Sequence, residues 1–257
     1  MNNGPVGVFD SGLGGISVLQ ELLKVIPDED YIFYGDSKNA PYGVRSDEEV
    51  YRLSLDVFYE LMNRGAKAVV VACNTATSVA VRKLRAVRPD VPVIGMEPAI
   101  KPAAEQNPGG LVVVMATPVT LRREKFARLV HRFDQMAEIV PLPSPEIVRY
   151  VENGRLHDEG LKGYIRGLFD SLGDEKKVDA VVLGCTHFPF VADLVREAAG
   201  PQARLYDGNR GTAEELFRRL KERDLLSVPK EQHTVEILNS AGAGQVDLSW
   251  KLFRNEI

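Results

Sequence analysis

Short apolar runs rich in β-branched residues recur along the chain, at residues 6–9, 31–34, 68–72, 91–95, 111–116, 138–142, 179–184 and 204–206. Each ends in small or polar residues and leads into a segment with apolar positions at helical spacing. The runs lack clean alternation, which suits strands buried on both faces, and their alternation with helices predicts right-handed crossovers in a parallel sheet. The expected fold class is α/β. Beyond residue 207 the pattern predicts a helix from Thr212 to about Arg223 and a polar, proline-containing stretch. A strand at 235–238 and a weakly patterned terminal segment follow, this tail packing on the first part of the chain.

The chain also echoes itself. Val6-Gly-Val-Phe-Asp-Ser-Gly is matched by Val112-Val-Val-Met-Ala-Thr-Pro, and Tyr31-Ile-Phe-Tyr-Gly-Asp by Glu138-Ile-Val-Pro-Leu-Pro. Ala68-Val-Val-Val-Ala-Cys-Asn-Thr is matched by Ala180-Val-Val-Leu-Gly-Cys-Thr-His. The offsets are 106 (6 to 112), 107 (31 to 138) and 112 (68 to 180), far longer than a solenoid repeat. They point to two pseudosymmetric α/β domains, residues 1–97 plus 208–257 and residues 98–207. Each is expected to be a mostly parallel sheet flanked by helices, with the active site in the cleft between them. Residues 98–110, with three prolines and two adjacent glycines, read as a helix and loop leading into the second domain, and residues 207–211 as the return.

At 257 residues and 44% hydrophobic content, the chain is long enough to bury two modest cores. Lys and Arg number 32 against 36 Asp and Glu, a net charge of -4, the wrong balance for a nucleic-acid surface. The one basic cluster, Arg122, Arg123, Lys125, Arg128 and Arg132, alternates with Leu121, Phe126, Leu129, Val130 and Phe133 at roughly helical spacing. Its charges are expected on a solvated face. No signal-peptide pattern and no bilayer-length apolar run is seen, so a soluble, cytoplasmic protein without a membrane partner is expected. Two cysteines 112 positions apart form neither a disulfide framework nor a metal site. They are either core thiols or reactive ones.

In open α/β sheets, ligands bind beyond the carboxyl ends of the strands. The unusual polar clusters all fall there: Asp10-Ser11, Cys73-Asn74-Thr75, Thr117 with Thr120, and Cys185-Thr186-His187. The loop Asp10-Ser-Gly-Leu-Gly-Gly fails as a dinucleotide fingerprint, because Ser17 stands where the third glycine belongs and Asp10 would repel a phosphate. Its amides still suit a smaller anion such as a carboxylate, and Asp10 reads equally as a helix N-cap. A lone cysteine after a strand is usually structural. Two at matching strand ends, each followed by polar residues, favour thiolate chemistry instead. His187, next but one to Cys185, suits an acid/base or thiol-tuning role beside the ordinary structural one. Pro41-Tyr42-Gly43, after strand-end Asp36, reads as a simple turn or as a loop closing over a ligand.

Five motifs then occur in one order: Gly7-Val-Phe-Asp-Ser-Gly-Leu-Gly-Gly, Pro41-Tyr-Gly, Ala72-Cys-Asn-Thr-Ala-Thr, Ala116-Thr-Pro-Val-Thr and Leu183-Gly-Cys-Thr-His-Phe-Pro. In these the chain resembles the glutamate racemases of the aspartate/glutamate racemase group over most of residues 4–210. The resemblance implies exchange of the α-proton of glutamate between two cysteines without a cofactor or metal, feeding D-glutamate to peptidoglycan synthesis. Cys73 would act on D-glutamate with Asp10 assisting, and Cys185 on L-glutamate with His187 assisting. Asp10, Ser11, Pro41, Tyr42, Gly43, Asn74, Thr75, Thr117, Thr120, Glu152, Thr186 and His187 would bind the substrate, Glu152 lying near the second cysteine. A homodimer stays open. The chain departs from the group's pattern at Arg123, Phe126, Phe188 and Ala99, where serine, tyrosine, tyrosine and glycine are expected. The competing readings are a racemase for aspartate or another acidic amino acid, and a non-catalytic protein that binds an acidic ligand.

Overall fold

The computed structural model describes residues 4–173, 177–229 and 231–257. Its contacts divide the chain into two compact units, one running through Glu97 and resuming at Asn209–Ile257, the other Pro98–Gly208.

In the first unit, β1 (Val6–Asp10), β2 (Tyr31–Gly35), β3 (Ala68–Val71), β4 (Val93–Gly95) and β9 (Val235–Asn239) form one all-parallel sheet of order β4-β3-β1-β2-β9. Helix α1 (Ile16–Val25) links β1 to β2, α2 (Asp47–Asn63) links β2 to β3 and α3 (Asn74–Val87) links β3 to β4. Right-handed crossovers that run one way from β1 to β2 and the other way from β2 to β3 and β3 to β4 put α1 on one face and α2 with α3 on the other. Accordingly α2 packs on α3, whereas α1 packs on α10 (Asn209–Glu222) and α11 (Ala243–Phe253).

The second unit holds β5 (Leu111–Ala116), β6 (Glu138–Pro143), β7 (Ala180–Leu183) and β8 (Arg204–Asp207), all parallel, in the order β6-β5-β7-β8. Around it lie α4 (Ile100–Gln106), α5 (Pro118–Leu121), α6 (Glu124–His131), α7 (Glu146–Glu152), α8 (Glu159–Asp170) and α9 (Ala192–Ala199). Read from the other edge, this order is β8-β7-β5-β6, the same topology as β4-β3-β1-β2. Val6 lies opposite Ala68, and Val112 opposite Ala180, as the echo requires. Tyr31 corresponds instead to Ile139, one residue later than the sequence match. That slip falls in β6, a half-exposed edge strand whose pattern specifies register weakly.

Burial on both faces holds for β1, β3, β5 and β7, every residue of which is buried. The edge strands β6 and β8 are half-exposed, and Pro141 and Pro143 remove ladder donors from β6. Three sequence expectations need correction. Helix α10 begins at Asn209 rather than Thr212. The weakly patterned terminus is a helix, α11, whose last carbonyls (Leu252 and Phe253) accept from Gln20 Nε2 at 3.2 and 2.9 Å. The basic segment after Leu121 breaks at Arg122-Arg123 instead of continuing one helix, and Arg123 is half-buried rather than solvated. Among the described residues, no helix is long and apolar enough to cross a membrane.

A buried ion pair sits at the amino ends of β2 and β3. Lys67 Nζ lies 2.6 Å from Glu29 Oε2, their side chains 0% and 1% exposed, and Ser227 donates its N–H and hydroxyl to the same carboxylate at 2.8 Å each. Breaking such a pair strands a charge. Lys67→Met is therefore expected to cost about 3 kcal/mol of unfolding free energy, read from urea denaturation with an unchanged slope.

Candidate active site

In both sheets the first and third strands are neighbours, and the chain leaves them toward opposite edges. Their carboxyl ends are the topological switch points at which open α/β sheets bind ligands. Asp10 ends β1 and Cys73 follows β3; Thr117 follows β5 and Cys185 follows β7. Each polar cluster picked out in the sequence thus stands at one of the two switch points.

At the first, the Asp10 carboxylate is fully buried and accepts the Gly12 N–H at 3.0 Å. It is not the N-cap of α1, a place taken by Gly15. The loop wraps the carboxylate so closely that a Cβ on Gly15 would lie 2.6 Å from Asp10 Cβ. Ser11 is buried beside it. Cys73 caps α3, its Sγ accepting the Ala76 N–H at 3.5 Å. An amide aimed at sulfur and the positive end of the helix dipole both favour negative charge there. Asn74 and Thr75, the first residues of α3, are buried. The Asn74 amide nitrogen donates to Met96 Sδ at 3.4 Å, while its Oδ1 is buried with no hydrogen-bond partner among the described residues.

The 41–43 loop, read from the sequence as a simple turn or as a loop closing over a ligand, holds its aromatic inward. Tyr42 is 1% exposed and packs in the core, its ring centroid 6.2 Å from that of Phe9. Its hydroxyl donates to Asp36 Oδ2 at 2.7 Å, and the Asn39 amide donates to both oxygens of the same carboxylate. Burial first, then Asp36, with Cys73 and Asp10 adding negative potential, hold the phenol well above its usual pKa, so it remains a donor. Pro41 is exposed and Gly43 partly so. The role of Asp36 as the loop's anchor was missed in the sequence, where the only signal was a carboxylate at the end of β2 six residues before the tyrosine.

At the second switch point, Thr117 caps α5, its Oγ1 accepting the Thr120 N–H at 3.4 Å and lying 3.1 Å from the Thr120 hydroxyl. Gly184 brings the next turn against β5: its N–H donates to the Met115 carbonyl at 2.7 Å, and a Cβ there would lie 2.6 Å from that oxygen. Beyond it, Cys185 Sγ lies 3.6 Å from His187 Nδ1, and His187 Nε2 lies 2.6 Å from Oε1 of Glu152, the last residue of α7. Thr186 and His187 are each 2% exposed. Burial by itself pushes the His187 pKa down, but hydrogen bonds to Cys185 and Glu152, reinforced by their charges, raise it well above 6.5. These bonds favour the protonated ring, set between a sulfur and a carboxylate. The histidines outside this chain of contacts, His131, His157 and His233, are exposed.

A buried thiol with a hydrogen-bond donor or ionisable group in reach is thus found once in each sheet. Residues 7–216 match the family of Asp/Glu/Hydantoin racemases, and the chain belongs to that family. Its relatives are more particular: the chain is 44% identical over 253 residues to the glutamate racemase of Clostridium perfringens, covering 98% of this chain and 97% of that one. It is 45% identical over 254 residues to that of Clostridium botulinum, covering 98% of each. By structure it is similar to a glutamate racemase isoform of Bacillus anthracis, with TM-score 0.85, 26% identity and coverage of 99% and 95%. It is also similar to the Escherichia coli glutamate racemase in complex with L-glutamate and an activator, with TM-score 0.85, 29% identity and coverage of 98% and 95%.

Proposed function

We propose that this chain is a glutamate racemase that interconverts L- and D-glutamate by moving the α-proton through Cys73 and Cys185, without a cofactor. The observation that carries this reading is the placement of the two thiols at equivalent strand ends of two sheets with one topology. Inverting a tetrahedral carbon by proton exchange is most direct with one acid/base group on each face, since a single base would have to cross over. Cys73, supported by Asp10, takes the proton of D-glutamate; Cys185, supported by His187 and Glu152, takes that of L-glutamate. Each cysteine returns a proton in the opposite direction.

The carbanion formed beside a carboxylate must be stabilised by donors already in place, because no electron sink is supplied by a cofactor. Ser11, the Gly43 backbone, Asn74, Thr75, Thr117, Thr120 and Thr186 are assigned to holding the substrate's ammonium and carboxylates. The product D-glutamate serves cell-wall synthesis in the cytoplasm.

Turnover of both enantiomers of glutamate and of aspartate tests the substrate. One methylene in a fitted pocket is worth about 1 to 3 kcal/mol, so kcat/KM for glutamate should exceed that for aspartate by at least about tenfold. Faster turnover of aspartate would reassign the substrate, and no racemisation of either would leave only a binding protein.

A further inference from the structure

We propose that Met96 is a positioning residue that fixes the Asn74 carboxamide so that its oxygen, not its nitrogen, is offered to the substrate. The inference rests on the racemase reading above and extends it to a residue no motif singled out.

A carboxamide has one accepting end and one donating end, and which end faces a ligand decides what it can bind. In Asn74 the donating end is taken: Nδ2 lies 3.4 Å from the Met96 thioether, a weak acceptor in an otherwise apolar setting. The accepting end, Oδ1, is buried and has no partner among the described residues, and Asn74 as a whole is only 8% exposed. A buried carbonyl without a donor costs free energy that a ligand's N–H can recover. The α-ammonium of an amino acid is such a ligand, with three donors and no acceptor. Turned the other way, the amide N–H groups would meet that ammonium with like polarity.

Met96 is itself held in place. Its N–H donates to Thr77 Oγ1 at 3.0 Å, and the Thr77 hydroxyl donates to the Val71 carbonyl at 2.9 Å. This ties the carboxyl ends of β3 and β4 to the first turn of α3. Gly95 lets the strand approach that closely, since a Cβ there would lie 2.7 Å from Thr77 Cγ2. The sulfur, 3% exposed at the residue level, thus stands at a fixed point beside Asn74.

Met96→Leu keeps volume and apolarity and removes the acceptor. With glutamate as substrate, KM is expected to rise about fivefold while kcat stays within about twofold, because an ammonium contact is made alike in ground and transition states. Asn74→Ala should raise KM further, and adding Met96→Leu to it should change nothing more, since the sulfur then has no amide to orient. An unchanged KM in Met96→Leu would overturn the proposal. So would the same fivefold effect persisting in the Asn74→Ala background, which is what a purely structural methionine gives. Thermal midpoints of all three variants separate either outcome from a failure to fold. If the unmodified chain does not racemise glutamate, the racemase reading itself falls, and that result is distinct from an active enzyme indifferent to Met96.

Discussion

Cys73→Ser and Cys185→Ser are each expected to lower kcat/KM for glutamate by at least about 10³-fold while the protein stays folded. A hydroxyl is a far weaker acid than a thiol, so serine neither carries the charge needed to remove an α-proton nor gives up a proton at a matching rate. The structure explains why folding should survive. Cys73 is the N-cap of α3 through its side chain, and serine is among the preferred N-caps, so the Ala76 N–H keeps a partner. Because the proposed mechanism uses both thiols in every turnover, the double variant should be little worse than either single one, as for groups that act as a unit. Circular dichroism and the initial rate of optical-rotation change decide the matter. Either single variant retaining a tenth of the activity would end the two-thiol reading.

The strands were legible because burial on both faces leaves a dense apolar signature, and Val112 to Ala116 shows it as plainly as any. What was less legible is what depends on few or distant contacts. The one-residue slip in β6 arises because a half-exposed edge strand has little apolar pattern to fix its register. Helix α11 has a weak apolar stripe of its own, and it is held by Gln20, more than 200 positions earlier in the chain. The position of β9 against β2 likewise comes from pairing at a distance rather than from local pattern. In the site, Cys185 and His187 could be linked by adjacency, but the contact between His187 and Glu152 joins residues 35 positions apart. No local rule announces that contact, and only the resemblance directed attention to Glu152. Tyr42 was visible as an aromatic in a loop, while its burial and its bond to Asp36 depend on how the loop folds back onto Phe9.

The repeated scaffold does not carry repeated chemistry. Asp10 ends β1, but its counterpart at the end of β5 is Ala116, so the second unit has no carboxylate there. Two residues after the cysteines the inequality reverses, with Thr75 in the first unit and His187 in the second. The ionisable groups assigned to assist the thiols therefore stand at non-equivalent places, Asp10 at the end of β1 and His187 after β7, and Glu152 enters from a helix. The two thiols are in unlike environments: Cys73 at the N-terminus of a helix, Cys185 3.6 Å from the His187 ring. This is what a catalyst of a symmetrical reaction needs when its two substrates are mirror images and its binding groups are not.

That inequality makes His187 the sharper test of mechanism. His187→Asn should lower kcat/KM by about 10²- to 10³-fold, and equally for both enantiomers. L- and D-glutamate have the same free energy in water, so the equilibrium constant is one and the two kcat/KM values cannot diverge. Asymmetry is allowed only in kcat and KM taken separately. The same residue sets a pH dependence. Burial, the largest influence, pulls its pKa down, but the bonds to Cys185 and Glu152 outweigh it and leave the value well above 6.5. The ring thus keeps its proton through neutral pH and loses it as pH rises past that raised value. The stability this chain of contacts adds is full below about 6.5 and is lost over the same rise. With the proton gone, His187 neither balances a thiolate nor restores a thiol, so kcat/KM should fall on the alkaline side. Glu152→Gln removes one of the two raising bonds, leaves burial less opposed, and should move that fall to lower pH. Profiles of kcat/KM against pH for the unmodified chain and for Glu152→Gln measure the shift directly. An alkaline limb at the same pH in both would show that the Glu152 bond does not tune His187 and that the relay assigned to the second thiol is wrong.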